Sequence, residues 1–370
     1  MAELLKNIYN TKFIKHLGGA FKREYPAFDE KLFSTLVFDS GWQQKELKSR
    51  MRRITESLHF VLPSDYNKSI KIVVSVSKML RQEEIHGFEY MLFPDFVECY
   101  GQEHWSLSIP ALEELTKLAS AEFAVRPYLL LNSEKMMKQM ITWSKSADPD
   151  VRRLASEGCR PRLPWAMALP GFKKDPTLIL KLLKPMRNDS ALYVRRSVAN
   201  NLNDISKDHP DLVMEVVKPW HGKNKNTDWL IRHGCRGLLK SAHPEALALF
   251  GFGSIKHLAI KNFTADSEVQ FGHYLPFSFE VSSTKKTIGK LRLEYAIDFM
   301  KSNGKQARKI FQISESSISE DHKIFARKHR FKAISTRKHY TGSHGFSLIL
   351  NGQTVDQMSF ELLGPVDNTT

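Results

Sequence analysis

The chain has 370 residues, is 42% apolar, and carries a formal net charge of +15 with a pI of about 9.5. That length predicts two domains, and the basic balance points to a polyanionic partner, either nucleic acid or an anionic membrane face. The opening MAELLKNIYNTKF has no apolar signal core, no run reaches membrane-spanning length, and the three cysteines, Cys99, Cys159 and Cys235, are scattered, so the sequence argues against export, membrane insertion and a disulfide framework.

The first 250 residues read as helical. SKMLRQEEIHGFEYML and PALEELTKLASAEFAVRPYLLL place apolar residues three and four apart. A motif then recurs: DPDVRRLASEG from Asp148, SALYVRRSVANNL from Ser190 and TDWLIRHGCRGLL from Thr227. Val151, Val194 and Ile231 are the matched positions, 43 and 37 residues apart. That period predicts two-helix, HEAT-like units stacked into an α-solenoid. The basic pairs Arg152/Arg153, Arg195/Arg196 and Arg232/His233 fall in register. They read either as solvated helix starts with local salt bridges or as a ladder for phosphate, which helix N-termini also favour.

The pattern changes near residue 252. LPFSFEVSS, KLRLEYAIDFM, RKIFQISE, HRFKAIST and FSLILNGQTVDQMSFELL alternate with period two, with turns at Asn303-Gly304 and Asn351-Gly352. They predict a smaller antiparallel β-sandwich of immunoglobulin-like type. The stretch from His322 to Gly345 holds seven Lys/Arg and no acid, with Phe325, Phe331 and Tyr340 interleaved. It reads as a lysine-protected edge strand or as a basic strand meeting DNA backbone.

No phosphate loop, HExxH, GxSxG elbow or Cys/His pair is present, and His209, His221, His233 and Cys235 lack ligand spacing, so no metal or cofactor is expected. Three residues remain. Glu122, in an apolar helical run, reads as a surface acid paired with Arg126. Trp165, among Arg160, Arg162 and three prolines, reads as a core tryptophan on an irregular segment. Asp204 falls near a helix C-terminus, where an anion is disfavoured, unless it caps the next helix.

SAEFAVRPYL, RPRLPWA, VRRSVANNLNDISKDHP and DWLIRHGCRGLLK together resemble the AlkC-like DNA glycosylases of the HEAT-like-repeat alkylpurine glycosylase superfamily. The resemblance spans about residues 1 to 252, and the β-rich tail is similar to the immunoglobulin-like domain of one AlkC-like branch. It implies a glycosylase domain over 1–252, a DNA-contacting β domain over 255–370, and a cytoplasmic monomer acting on double-stranded DNA. The implied activity is excision of cationic alkylated bases, of the 3-methyladenine type and with 3-methylcytosine as a second candidate, without base flipping. Carried over by motif, Asp204 is the catalytic aspartate, Trp165 the active-site aromatic and Glu122 a second acid. The DNA-binding set is Arg152, Arg153, Arg160, Arg162, Arg195, Arg196, Arg232, His233 and Arg236, joined in the tail by Lys323, Arg327, Lys328, Arg330, Lys332, Arg337 and Lys338. An N3-alkylated base leaves as a neutral molecule, so a carboxylate that stabilises an oxocarbenium-like sugar and orients water suffices. The rivals are a non-catalytic HEAT-like scaffold and a related enzyme that acts on bulky or crosslinked adducts.

Overall fold

Sixteen α-helices occupy the chain up to Leu249, and eight strands follow from Leu258 among the described residues. The structure, a computed structural model, describes residues 4–333 and 337–364. Contacts divide the chain into two units, Met1–Gly234 and Cys235–Thr370, so the helical residues after Gly234 group with the strands.

In the first unit, both long helical runs expected from periodicity are broken. Helix Tyr66–Gln82 ends where Glu84 adopts a positive φ of 56°, and a 3₁₀ turn, Phe88–Met91, precedes helix Leu92–Tyr100. Helix Trp105–Leu115 likewise stops at a turn in which Thr116 Oγ1 accepts from the Ala121 amide at 3.3 Å, before helix Arg126–Leu131 begins. The apolar spacing runs on through both breaks because the flanking helices bury their faces in one core.

The repeated motifs do form stacked helices. Helix Leu192–Ile205 packs against Pro149–Glu157 on one side and Lys225–Gly234 on the other. Val151, Val194 and Ile231, the matched positions, are all fully buried. Asp148 caps the first copy by accepting from the Asp150 amide at 2.8 Å, and Pro149 supplies the first helical residue. Buried polar contacts fix the stack: Asn201 Nδ2 donates to the Ser156 carbonyl at 2.8 Å and Ser197 Oγ to Ser156 Oγ at 3.0 Å.

The second unit is a two-sheet sandwich. Its strands are β1 (Leu258–Ala265), β2 (Glu268–Gln270), β3 (Tyr274–Ser283), β4 (Gly289–Met300), β5 (Gln306–Ile318), β6 (His322–Arg330), β7 (Gly342–Leu350) and β8 (Gln353–Leu363). The sheets are ordered β1-β3-β6 and β2-β8-β7-β4-β5. All pairings are antiparallel except β2 with β8, so the predicted antiparallel sandwich carries one short parallel edge. Alternate residues of β3, β4, β7 and β8 interdigitate between the sheets, with Phe277, Phe279, Leu293, Ile297, Phe346 and Phe360 at the centre.

Strand β4 is buried on both faces. On the face away from the sandwich core, Arg292 is paired with Glu294 and Glu315. Beyond β4, the β7–β8 turn meets the short helical residues after Gly234: a Cβ at Gly352 would collide with Ala242 and Leu247, which is why those residues group with the strands. Asn351 and Gly352 both have positive φ, 44° and 80°, as a two-residue type I′ hairpin requires. The expected strand HRFKAIST is shifted: β6 ends at Arg330, and Ile334, Ser335 and Thr336 lie outside the described residues.

Candidate functional site

Two of the three singled-out residues, Glu122 and Asp204, are joined by one run of contacts. Glu122 is not on a helix and does not pair with Arg126, contrary to the expectation. It sits in the turn before helix Arg126–Leu131, where its Oε2 accepts from Ser120 Oγ and from Arg153 Nη1, both at 2.7 Å. Arg153 also approaches Glu157 at 3.5 Å and lies over the Tyr193 ring at 4.6 Å. Glu157 in turn accepts from Arg160 Nη1 at 2.6 Å, and Arg160 Nε donates to Asp204 Oδ2 at 2.9 Å. Glu122, Arg153, Glu157, Arg160 and Asp204 thus form an alternating file of charge.

Asp204 lies in the last turn of helix Leu192–Ile205 and is only 2% exposed. The helix terminus disfavours it there, and Arg160 offsets that cost; Lys207 Nζ is 3.6 Å from its other oxygen. The capping alternative does not hold, because its side chain faces Arg160 and the next helix, Pro210–Val217, starts after His209. Burial opposes the charge on Arg153 and Arg160. The adjoining carboxylates nevertheless hold both guanidiniums above their ordinary range, Glu122 and Glu157 on Arg153, and Glu157 and Asp204 on Arg160. Fixed cations of this kind hold the carboxylates they bond in one orientation.

Trp165 is not a core residue. It is 63% exposed, has a positive φ of 64°, and meets Phe88 edge to face at 6.1 Å. A non-glycine side chain in that conformation is strained by about 1–2 kcal/mol, which suits a residue held for a purpose beyond packing. Phe88 and Glu122 line one open cleft of about 460 Å³, together with Arg153 and Tyr193. The cleft therefore brings the Trp165 neighbourhood to Glu122, and the ion-pair file continues from Glu122 to Asp204.

The arginine ladder is corrected. Arg152 Nη1 donates to the Ser146 and Ala147 carbonyls at 2.9 and 2.8 Å, while its Nε and Nη2 hold the Asp189 carboxylate at 2.7 and 3.0 Å. Arg195 repeats the first contact on the Asp189 and Ser190 carbonyls, at 2.6 and 2.8 Å. In the first two copies the first arginine of the pair is a strut for its own helix start. Arg153 and Arg160 are likewise spent on the carboxylates, contrary to their placement among phosphate contacts. Arg162 holds Asp208 through two bonds, at 2.6 and 3.2 Å, on the surface. Arg196 is exposed, Arg232, His233 and Arg236 are half-buried, and His233 stacks on Trp229 at 5.3 Å.

In the second unit, Phe325 and Phe331 point into the core, so they do not interleave with the surface charges as expected. The cations remain outside: Lys323, Arg327, Lys328, Arg330, Lys332 and Lys338 are exposed and Arg337 is half-buried over Phe299. Lys328 and Arg330 flank Tyr274 at 4.3 and 5.4 Å. β6 is an edge strand of its sheet.

Glu157, Tyr193 and Phe88 were not anticipated. Glu157 carried a signal, since it stands four residues after Arg153 on the same helix and three before Arg160. Phe88 and Tyr193 carried none, because only the fold brings them beside Glu122.

Comparison with known proteins adds three findings. A family model described as "DNA alkylation repair enzyme" matches residues 119–238, and one described as "Uncharacterised protein YhaZ, C-terminal Ig-like domain" matches residues 259–364. "Uncharacterized protein YhaZ" of Bacillus subtilis (strain 168) is 42% identical over 360 residues, covering 97% of this chain and 99% of that protein. The Pseudomonas fluorescens alkylpurine DNA glycosylase AlkC, solved on DNA containing an abasic site analog, matches with a TM-score of 0.92 and 36% identity, covering 98% of this chain and all of that one.

Proposed function

The chain belongs to the AlkC-like DNA glycosylases of DNA alkylation repair, and from that premise we propose that it hydrolyses the N-glycosidic bond of cationic alkylated bases in duplex DNA. The lesion is of the 3-methyladenine type, with 3-methylcytosine second, and it is cleaved without being flipped from the stack. The observation that carries this reading is the file of ion pairs, which holds two carboxylates in fixed orientation, with Glu122 on a cleft whose wall residue Phe88 meets the exposed, strained Trp165. Membership of the family sets the scaffold reading aside.

Alkylation at N3 makes the base a cation, and it departs neutral. No strong general acid is required. Charge instead develops on the sugar, which becomes oxocarbenium-like. Asp204 and Glu122 supply negative charge that the surrounding guanidiniums have already oriented, so little reorganisation accompanies the reaction. A stabilisation of about 3–4 kcal/mol would give roughly two to three decades in rate. One carboxylate oxygen orients a water at the anomeric carbon. Trp165 offers its ring face to the cationic lesion or sugar.

The partner is double-stranded DNA, bound by a monomer in the cytoplasm. Residues 1–252 act as the excision domain, and residues 255–370 contact DNA through the cations of β6 and of the chain that follows it. Arg196, exposed on its helix, is the phosphate contact of the helical repeats.

Base release from defined duplexes tests the reading. The enzyme is expected to free 3-methyladenine and to leave hypoxanthine, a neutral damaged base, in place. Equal release of both, or release only from bulky adducts, would sink it.

A further inference from the structure

Residues 158–169 leave helix Pro149–Glu157, double back, and enter the next helix at Pro170. The segment closes on itself: the Leu169 amide donates to the Pro161 carbonyl and the Ala166 amide to the Leu163 carbonyl, both at 3.3 Å. Trp165 stands between these closures. A loop this short, with two prolines, has stiff pieces but no core of its own. Something outside it must set the distance between its arms.

Arg126 does so. It is fully buried, and its guanidinium lies under the loop. Nη1 donates to the carbonyls of Gly158 and Arg160 on the incoming arm, both at 2.9 Å. Nε donates to the Met167 carbonyl on the outgoing arm at 2.7 Å. A planar fork with fixed angles holds two arms at a set spacing, which the freely rotating donors of an ammonium do not impose. No carboxylate pairs with it among the described residues, and Nη2 is buried without a partner. Burial pushes the guanidinium down to about 10. A buried cation left this poorly compensated is an expensive way to stabilise a loop. It is better matched to a geometric task, since the strained backbone of Trp165 persists only where the surroundings over-determine it.

We propose that Arg126 is a positioning residue for base excision: it clamps the two arms of the 158–169 loop and so sets the exposed ring of Trp165 against the DNA. On the surface side, Lys48 Nζ donates to the Trp165 carbonyl at 3.0 Å and assists the same placement. The role is distinct from that of the carboxylates, because Arg126 bonds only to main chain. It rests on the reading of Trp165 as a contact to the lesion, and two independent readouts keep the two claims apart.

The first readout is a double-mutant cycle in single-turnover excision of 3-methyladenine, using wild type, Arg126→Lys, Trp165→Ala and the double variant. Arg126→Lys should slow excision by about ten- to a hundredfold, the range expected for a misplaced contact. The double variant should be no slower than Trp165→Ala by more than about twofold, because both changes act through one ring. An Arg126→Lys enzyme at wild-type rate, or a double variant showing the full product of the two losses, overturns the proposal. The second readout is the Trp165 fluorescence anisotropy, isolated by subtracting each Trp165→Phe counterpart. It should fall in Arg126→Lys as the loop loosens, and an unchanged value overturns the proposal. If Trp165→Ala excises normally, the reading of Trp165 fails while the anisotropy still decides the role of Arg126. Should Arg126→Lys not fold, Arg126→Gln removes the buried charge and takes its place in both measurements.

Discussion

The arginines of the helical unit and the cations of β6 carry the same formal charge and stand in opposite situations. Arg152, Arg153 and Arg160 are turned inward and bonded to carboxylates or carbonyls. Lys323, Arg327 and Lys328 project from an edge strand with no carboxylate partner among the described residues. The first group builds a site and the second remains available to a polyanion. A net charge of +15 therefore says little about which residues meet DNA, and partner lists decide it.

That contrast can be broken in several places. The largest effect is expected at Arg160, whose removal leaves Asp204 and Glu157 buried without their shared cation. Arg160→Ala should cost about 3–5 kcal/mol in urea unfolding, and a loss below about 1 kcal/mol would mean the file contributes little to the fold. On the other side, reversing Lys323, Arg327 and Lys328 to Glu should leave folding intact. Duplex affinity should drop by about a hundredfold, and the salt slope by roughly three. If affinity and slope stay put, β6 is a solvated edge and nothing more.

Acid should separate the two units. His329 is half-buried beside Tyr295, and its desolvation, reinforced by the nearby His339, Arg337 and Lys309, lowers its pKa to about 4. The unfolded chain, with an ordinary histidine near 6.5, takes up this proton first. Stability of the β unit is therefore unaffected above about pH 6.5 and falls as pH drops toward 4, by about 2 kcal/mol. His329→Gln should flatten that slope in pH-dependent thermal unfolding. In the helical unit, Arg162 holds Asp208 below the usual carboxylate range, so this pair's contribution is present above the unfolded carboxylate pKa and fades at lower pH. The smallest effect belongs to Arg152→Lys, which loses the fork on Asp189 and should cost about 1 kcal/mol with DNA affinity unchanged. A weaker complex with a shallower salt slope would return Arg152 to the phosphate contacts.

Much of the architecture was legible from pattern. Val151, Val194 and Ile231 recur because each helix must bury the same position against its neighbour, and all three are buried. Alternation marked β3, β4, β5, β7 and β8, but not β1 or β2, whose exposed faces carry little apolar contrast. The partners of the arginines were not legible. Whether Arg152 faces solvent or its own loop depends on Asp189, 37 residues away in sequence. Glu122 looked helical because apolar spacing continues across a turn that only Thr116 and the packing reveal. Trp165 appeared to be an ordinary core residue because a positive φ leaves no mark on a non-glycine sequence.

The proposed division between structural cations and catalytic carboxylates meets its sharpest test at Asp204. Asp204→Asn keeps the shape and removes the charge, with Arg160 beside it. Single-turnover release of 3-methyladenine, measured alongside affinity for abasic-site duplex, should fall by about two to three decades while affinity changes by less than about threefold. Excision at the wild-type rate by this variant would contradict the catalytic assignment and leave Asp204 as a structural partner of Arg160.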